Sequence, residues 1–259
     1  MVDYASVVTE FRAGRVVARS FSTLFRNIVP FGLLALVLTS PTYVYAILTD
    51  SGDIMVDDVE ITAEPFVLGI IEILLTYLVT AALVYGTIRD LRNNRASVGE
   101  CFSKGISLMF PVLGVAIVSS ILTGLATLAF VIPGIIVGIM LWVAVPVAVV
   151  ERRGLGSLGR SAELTKGYRW RILVLFLIVF AVIFGVALLM GVATAAITMT
   201  GMDNGGDIDA TSLMGLLAIE WVFSAFISAL MAVIAAVSYH DLRVAKEGAD
   251  TSQIASVFD

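Results

Sequence analysis

The chain has 259 residues, 59% of them apolar, with a mean hydropathy of +1.01 and a formal net charge of −5. Soluble globular chains are only about 45–50% apolar, so this composition excludes an ordinary soluble fold. It predicts a single all-α integral membrane domain over residues 1–250 and a cytoplasmic tail at 251–259. One cysteine, Cys101, and one histidine, His240, exclude an intrachain disulfide and the usual zinc spacings.

Residues 3–25 predict an amphipathic helix ahead of the first crossing. Its apolar side chains recur mostly three or four residues apart, at Tyr4, Val7, Phe11, Ala18, Phe21 and Phe25. Arg12, Arg15 and Arg19 form a second stripe beside them. A helix lying among lipid headgroups has this pattern, with guanidinium groups reaching phosphates. A juxtamembrane helix packed on its own protein has it too, and the two interpretations are compatible.

Six apolar stretches follow, each near the ~20 residues that a bilayer core requires. They lie at about 27–48, 66–88, 106–126, 133–150, 171–199 and 213–239. Amphipathic segments at 96–105 and 155–169 precede the third and fifth stretches. The sequence therefore predicts six transmembrane helices in three hairpins, each hairpin preceded by a cytoplasmic amphipathic helix.

Basic residues are confined to one side of this predicted topology. All sixteen Lys and Arg residues lie in the segments before, between and after the hairpins, whereas the connections around 49–65, 127–132 and 200–212 contain none. The first and last of these connections carry nine acidic residues. Cytoplasmic loops retain Lys and Arg, so we expect both termini in the cytoplasm and anionic headgroups against the basic face.

Short similarities between segments suggest a repeated two-helix unit. Ser97-Val98-Gly99 resembles Ser157-Leu158-Gly159 at the start of two amphipathic segments. Arg89-Asp90-Leu91-Arg92 resembles His240-Asp241-Leu242-Arg243 where two hairpins return to the cytoplasm. Repeats of this kind predict a quasi-symmetric bundle. Ser97 and Glu100 also have the spacing of a capping box.

Two carboxylates, Glu72 and Glu220, lie inside predicted crossings. Glu72 is eighteen residues before Asp90 and Glu220 is twenty-one before Asp241, a difference of about one helical turn. Both therefore fall in the outer half of a second-in-hairpin helix, where they are candidates for a shared cavity. Alternatively, each lies close enough to the outer end of its helix to reach water.

The remaining candidate residues are basic. We expect lipid headgroups at six cytoplasmic cations: Arg12, Arg15, Arg19, Arg160, Lys166 and Arg169. No catalytic residue, cofactor or nucleic-acid interface is predicted. No metal site is predicted either, because the acidic loops lack calcium-loop spacing. The glycines at 154, 156 and 159 follow an apolar helix rather than the strand that a dinucleotide site needs. Small-residue pairs such as Gly134/Gly138 and Ala225/Ala229 predict close helix packing, within one chain or in a dimer.

Two stretches carry a resemblance to a known family. Arg160-Ser161-Ala162-Glu163-Leu164-Thr165-Lys166-Gly167-Tyr168-Arg169-Trp170-Arg171-Ile172 and Tyr239-His240-Asp241-Leu242-Arg243-Val244-Ala245-Lys246-Glu247-Gly248 resemble motifs of the bacterial glycerophosphoryl diester phosphodiesterase membrane-domain family. The resemblance implies the membrane part of that family and a bacterial inner membrane. It implies no phosphodiesterase activity. A metal-dependent phosphodiesterase domain needs several histidines, whereas this chain has one and most of its length forms the six predicted crossings.

These observations favour a non-enzymatic inner-membrane protein, either a lipid-associated scaffold or a partner of another envelope component. A second hypothesis is a small proton-linked transporter or channel that uses Glu72 and Glu220. A third is a membrane enzyme acting on lipid headgroups, which would bind phosphate at the basic cluster. The expected partners are membrane lipids, anionic on the cytoplasmic side, together with a possible second copy or envelope protein.

Overall fold

The computed structural model describes residues 11–49, 64–92, 94, 96–201 and 210–248. Residues 3–10 of the predicted amphipathic segment, residues 50–63 and 202–209 of the two acidic connections, and the tail at 251–259 lie outside this range. Within it the chain forms helices and no strands. We number these helices α1 Ala13–Arg26, α2 Ile28–Thr49, α3 Glu64–Leu91, α4 Val98–Ala129, α5 Val131–Leu141, α6 Ala144–Glu151, α7 Gly156–Thr165, α8 Arg169–Gly201 and α9 Ala210–Glu247.

Most of these helices are long and apolar enough to cross a membrane. Five stretches in the described residues meet that requirement, and α1 and α2 meet it only together, as one span bent by 81°. The five are Val67–Leu91, Val98–Ala129, Val131–Glu151, Arg169–Met199 and Ser212–Glu247. The predicted class, a multi-pass helical membrane protein, is confirmed at this level.

The core is built around α3 and α9. The side chains of Ala82, Leu83, Val233 and Ile234 are buried at the centre of one continuous apolar cluster. α9 packs against α2 and α3 far more than against α8, the helix that precedes it in the chain. α8 is peripheral, and much of its apolar surface is exposed, as at Leu189. Such a surface suits lipid, because apolar side chains need no protein partner in a bilayer.

The chain turns sharply between α1 and α2. The axes of Ala13–Arg26 and Ile28–Pro41 differ by 81° at Asn27, whose amide Nδ2 donates to the Thr23 carbonyl at 3.0 Å. Pro30 lies in the first turn of α2, where its missing N–H costs little, but it could not continue α1 because that N–H would have to bond Arg26. A helix perpendicular to a membrane-crossing helix lies close to the membrane plane.

Two predicted segments are organised differently in the structure. The segment 96–105 forms no helix of its own, because Val98–Ala129 is one helix of 32 residues that includes it. At about 48 Å this helix exceeds the bilayer core and extends beyond it or tilts. The predicted crossing at 133–150 is broken between α5 and α6. Pro146 explains the break, since it has no N–H to donate to the Trp142 carbonyl four residues earlier.

Half of the predicted capping box at the start of α4 is present. Ser97 is the N-cap residue, and its hydroxyl accepts from the Glu100 amide at 3.2 Å. The Glu100 carboxylate does not bond back to Ser97. It accepts instead from the Tyr85 hydroxyl at 2.8 Å and lies 3.5 Å from the Arg89 guanidinium. This carboxylate therefore links α4 to α3.

Small residues allow close helix contacts within the chain. A Cβ on Gly134 would lie 2.8 Å from the Thr127 Cα, so no methyl group fits between α4 and α5 there. Ala225 and Ala229 are buried in the core. In contrast, Ser120 and Gly124 border an open groove of about 710 Å³ beside Trp142. Close packing within the chain therefore explains Gly134, Ala225 and Ala229. It does not explain Ser120 and Gly124, for which a dimer contact stays a hypothesis.

Candidate functional site

The arginine stripe of α1 is directed at the ends of two core helices. The Arg19 guanidinium donates to the Asp241 carboxylate at 2.9 Å, and Arg15 Nε lies 3.8 Å from the other oxygen of that carboxylate. About two helical turns further along α1, Arg26 forms an ion pair with Asp90. Asp90 and Asp241 are the matching acids of the two similar hairpin ends, and both are buried. α1 therefore joins α3 through the Arg26–Asp90 pair and α9 through the pairs of Arg15 and Arg19 with Asp241.

A similar ion pair joins α7 to the end of α6. Arg160 is only 14% exposed and lies 3.3 Å from both Glu151 and Glu163, while its third carboxylate partner is Glu247 of α9. Burial opposes the charge on this guanidinium, but the hydrogen bonds to Glu247 and Glu151 outweigh it and raise the pKa of Arg160 above its ordinary value. Arg160 thus remains cationic and holds three helices together.

We call these contacts the ion-pair layer, defined by Arg15, Arg19, Arg26, Arg160, Asp90, Glu151, Asp241 and Glu247. In it, each of the three helices that ends at the predicted cytoplasmic side carries an acid that pairs with an arginine of a surface helix. The two similar segments that contain Asp90 and Asp241 therefore have the same role, because each aspartate pairs with an arginine of α1.

The six predicted headgroup residues fall into two groups. Arg15, Arg19 and Arg160 form intramolecular ion pairs, so their guanidinium groups are at least partly used by the protein itself. Of the other three, Arg12 is exposed but also interacts within the protein, Lys166 is exposed, and Arg169 is half-buried with an Nε that has no partner. The prediction that all six hold headgroups remains untested.

Arg171 and Trp170 are the basic and aromatic side chains that our prediction omitted. Arg171 donates to the Phe11 carbonyl at 3.0 Å and lies over the Tyr168 ring at 5.7 Å. Trp170 is 80% exposed. The triplet Arg169-Trp170-Arg171 at the start of a crossing was a usable signal, because tryptophan and arginine both concentrate at membrane interfaces.

At the opposite half of the bundle, Glu72 and Glu220 line one groove of about 240 Å³ between α2, α3 and α9. Both side chains are exposed to this opening rather than buried in the core. The two carboxylates therefore share one cavity, as their matching distances from Asp90 and Asp241 suggested. Ser224 and Thr76 add hydroxyl groups to its lining.

One wall of this groove is a hydrogen-bonded aromatic pair. Tyr43 and Trp221 stack with ring centroids 4.8 Å apart and nearly parallel planes. The indole N–H of Trp221 donates to the Thr39 hydroxyl at 2.9 Å. These contacts fix α9 against α2 directly beside Glu220. No sequence pattern predicts these contacts, because none shows which helix packs on α9.

Among the described residues, no group of three or more His, Cys, Asp and Glu side chains could hold a metal ion. No family model matches the chain, and no curated protein or solved structure is significantly similar to it. The resemblance to the phosphodiesterase membrane-domain family thus stays a prediction.

Proposed function

We propose that the protein is a non-enzymatic, multi-pass protein of the bacterial inner membrane, with both termini in the cytoplasm. It associates with anionic lipid through its cytoplasmic surface and acts as a lipid-associated scaffold or as a partner of another envelope component. The three-hairpin arrangement with cytoplasmic amphipathic helices belongs to the same proposal.

The observation that carries this proposal is the 81° turn between α1 and α2. If α2 crosses the bilayer, α1 lies along the interface, where its arginines sit at headgroup level. Phe25 of α1 is 60% exposed and forms a stacked pair with Phe21. Exposed rings beside cationic side chains are typical of interfacial helices, whose affinity combines apolar burial with attraction to anionic lipid. Each nearby cation contributes roughly 1 kcal/mol to that attraction.

Lipid-dependent stability tests the association. We expect phosphatidylglycerol added to the detergent-purified protein to raise its Tm more than the same amount of phosphatidylcholine does. A ligand that binds only the folded state at one hundred times its Kd stabilises by about 2.7 kcal/mol, which corresponds to a shift of several degrees. Equal shifts with the two lipids would contradict the proposal, which requires the anionic lipid to bind more tightly than the zwitterionic one.

A second function, proton-linked transport, is favoured by one specific observation. Glu72 and Glu220 line one groove in the half of the bundle opposite α1. Two carboxylates in one groove can pass a proton between them. Ionisable residues within crossings are rare, and they often belong to ion or proton pathways. In this proposal the two carboxylates accept protons from the outer side and pass them through the bundle.

Charge-neutral variants of the two carboxylates separate this function from the first. We expect Glu72→Gln and Glu220→Gln to keep the wild-type Tm, because both side chains are exposed. In proteoliposomes that report internal pH with a trapped dye, each variant should abolish proton uptake driven by a pH gradient. Asp58→Asn, in the predicted outer connection, is the matched control. Absence of proton uptake in the wild-type protein would remove the transport function and leave the lipid association unaffected.

A further inference from the structure

The groove between α2, α3 and α9 contains two carboxylates and no positive charge. Glu72 and Glu220 line it with exposed side chains, and within the described part of the chain neither forms a hydrogen bond or an ion pair. No Lys, Arg or His occurs in residues 27–88 or 172–239, which include both acidic connections. The chain therefore has no cation of its own near this groove, and a counter-ion has to come from outside it.

We propose that this groove binds a small organic cation through an ammonium group. The two carboxylates bind the charge, and the rings of Tyr43 and Trp221 form the wall beside it. All residues that line the groove lie within the described helices, and Tyr43, the one nearest a helix end, is six residues before Thr49. The inference goes beyond the proposed lipid association. It uses the carboxylates of the proposed proton pathway but requires no proton movement.

The depth of the two carboxylates strengthens their attraction for a cation. They lie inside the apolar stretches Val67–Leu91 and Ser212–Glu247, five and eight residues from the first residue of each. These separations correspond to about 8 and 12 Å of helix rise. Charges at that depth are partly withdrawn from water, and the attraction between opposite charges grows as the dielectric constant falls. The nine acidic residues of the two connections raise the concentration of cations on the same side.

The aromatic wall favours an organic cation over a metal ion. The stacking of Tyr43 and Trp221 occupies only one face of each ring, and a cation over the other face is attracted by the ring quadrupole. The bond from the Trp221 indole N–H to the Thr39 hydroxyl fixes the orientation of this wall. A metal ion instead needs several oxygen ligands at once. Among the described residues, no group of three or more His, Cys, Asp and Glu side chains could supply them.

The rest of the lining suits the N–H groups and the carbon atoms of a small amine. The hydroxyl groups of Thr76 and Ser224 are acceptors for N–H, whereas Leu75 and Leu217 are apolar. The volume of about 240 Å³ is smaller than the roughly 300–1,000 Å³ of sites for drug-sized ligands. An ammonium group of this size belongs either to a free amine or to the headgroup of phosphatidylethanolamine.

Three variants disrupt this site in two ways. Glu72→Gln and Glu220→Gln each remove one charge, and Ser224→Phe fills the groove while both carboxylates remain. Ser224 is exposed, so the ring does not enter the core. The control for charge is Glu163→Gln, at an exposed position at the other end of the bundle. The control for size is Gly191→Phe on the peripheral helix α8, where a Cβ meets no atom within 4 Å.

Isothermal titration calorimetry of the protein in an uncharged detergent measures binding at constant ionic strength. Putrescine is the probe for a free amine, and a short-chain phosphatidylethanolamine is the probe for the lipid. We expect saturable binding of at least one of them. Each site variant should weaken that binding by about tenfold or more, because a hydrogen bond to a charged group contributes about 1.5–3 kcal/mol and 1.4 kcal/mol is tenfold. Both controls should keep the wild-type affinity, and uncharged butanediol should not bind.

The outcomes identify the source of the ammonium group or reject the site. Binding that depends on Glu72 and Glu220 with putrescine identifies a free amine, and the same dependence with phosphatidylethanolamine identifies a lipid. The inference is wrong if neither probe binds, or if binding survives all three site variants. Tighter binding of magnesium than of putrescine would make the groove a metal site and would also overturn it. A failure of proton uptake or of the preference for phosphatidylglycerol is measured separately and concerns only the proposed functions.

Discussion

Replacing Arg15 and Arg19 together with glutamine is expected to lower the free energy of unfolding markedly. Asp241 is 6% exposed and receives its only close guanidinium contacts in the described residues from these two side chains. Removing one partner of a buried ion pair costs about 3–5 kcal/mol. Because both arginines are more than a third exposed, we expect roughly half of that, about 2 kcal/mol. Thermal unfolding in detergent, followed by tryptophan fluorescence, measures the loss.

Adding Asp241→Asn to that double variant should recover most of the lost stability. A buried carboxylate without its guanidinium partners causes the loss, and the asparagine removes its charge while keeping its shape. Arg92→Gln, which removes an exposed arginine, is the control and should leave the Tm unchanged. If the triple variant is less stable than the double variant, the carboxylate is not the cause and α1 is held by other contacts.

Arg160→Gln should produce a loss of similar size through a different helix. It leaves Glu151, which is 12% exposed, without its guanidinium partner on α7 and releases Glu247 from the same side chain. We expect a loss of about 2–3 kcal/mol. Limited proteolysis should also become faster between α6 and α7, because Arg160 links these helices.

Arg160→Lys should rescue this loss poorly. A lysine supplies one compact ammonium group, which cannot reach three carboxylates as a planar guanidinium does. Lys166→Gln is the control on the same surface, since Lys166 is exposed just after α7. Wild-type stability of Arg160→Lys would show that the charge alone, and not the fork geometry, holds α7.

The sequence predicted the membrane class because apolar length and charge position follow from the chemistry of the bilayer. The Ser97 cap and the shared groove of Glu72 and Glu220 were also accessible, since a cap is local and matched distances from similar helix ends predict matched depth. Pro146 was a signal for the break between α5 and α6. The prediction missed it because the residues around the proline form one continuous apolar run.

What the sequence could not provide was the partner of each helix face. The spacing of Arg15 and Arg19 shows that they share a side of α1, but an acid 222 residues after Arg19 receives them. A lipid phosphate and a protein carboxylate are both anionic acceptors for guanidinium groups, so an arginine stripe in the sequence does not show which of them it binds. Likewise, the Tyr43–Trp221 pair depends on α9 packing against α2 rather than α8, which local pattern does not encode.

The orientation of the chain in the membrane underlies every proposal made above. In the proposed orientation, the ion-pair layer lies at the cytoplasmic side of the membrane and the Glu72–Glu220 groove towards the outside. Single cysteines at Ser51, Asn204 and Ser252, in a Cys101→Ala background, can be labelled in intact cells with a membrane-impermeant thiol reagent. We predict that the cysteines at 51 and 204 react and that the one at 252 reacts only after lysis. Protection of 51 or 204 in intact cells, or labelling of 252 before lysis, would contradict the orientation.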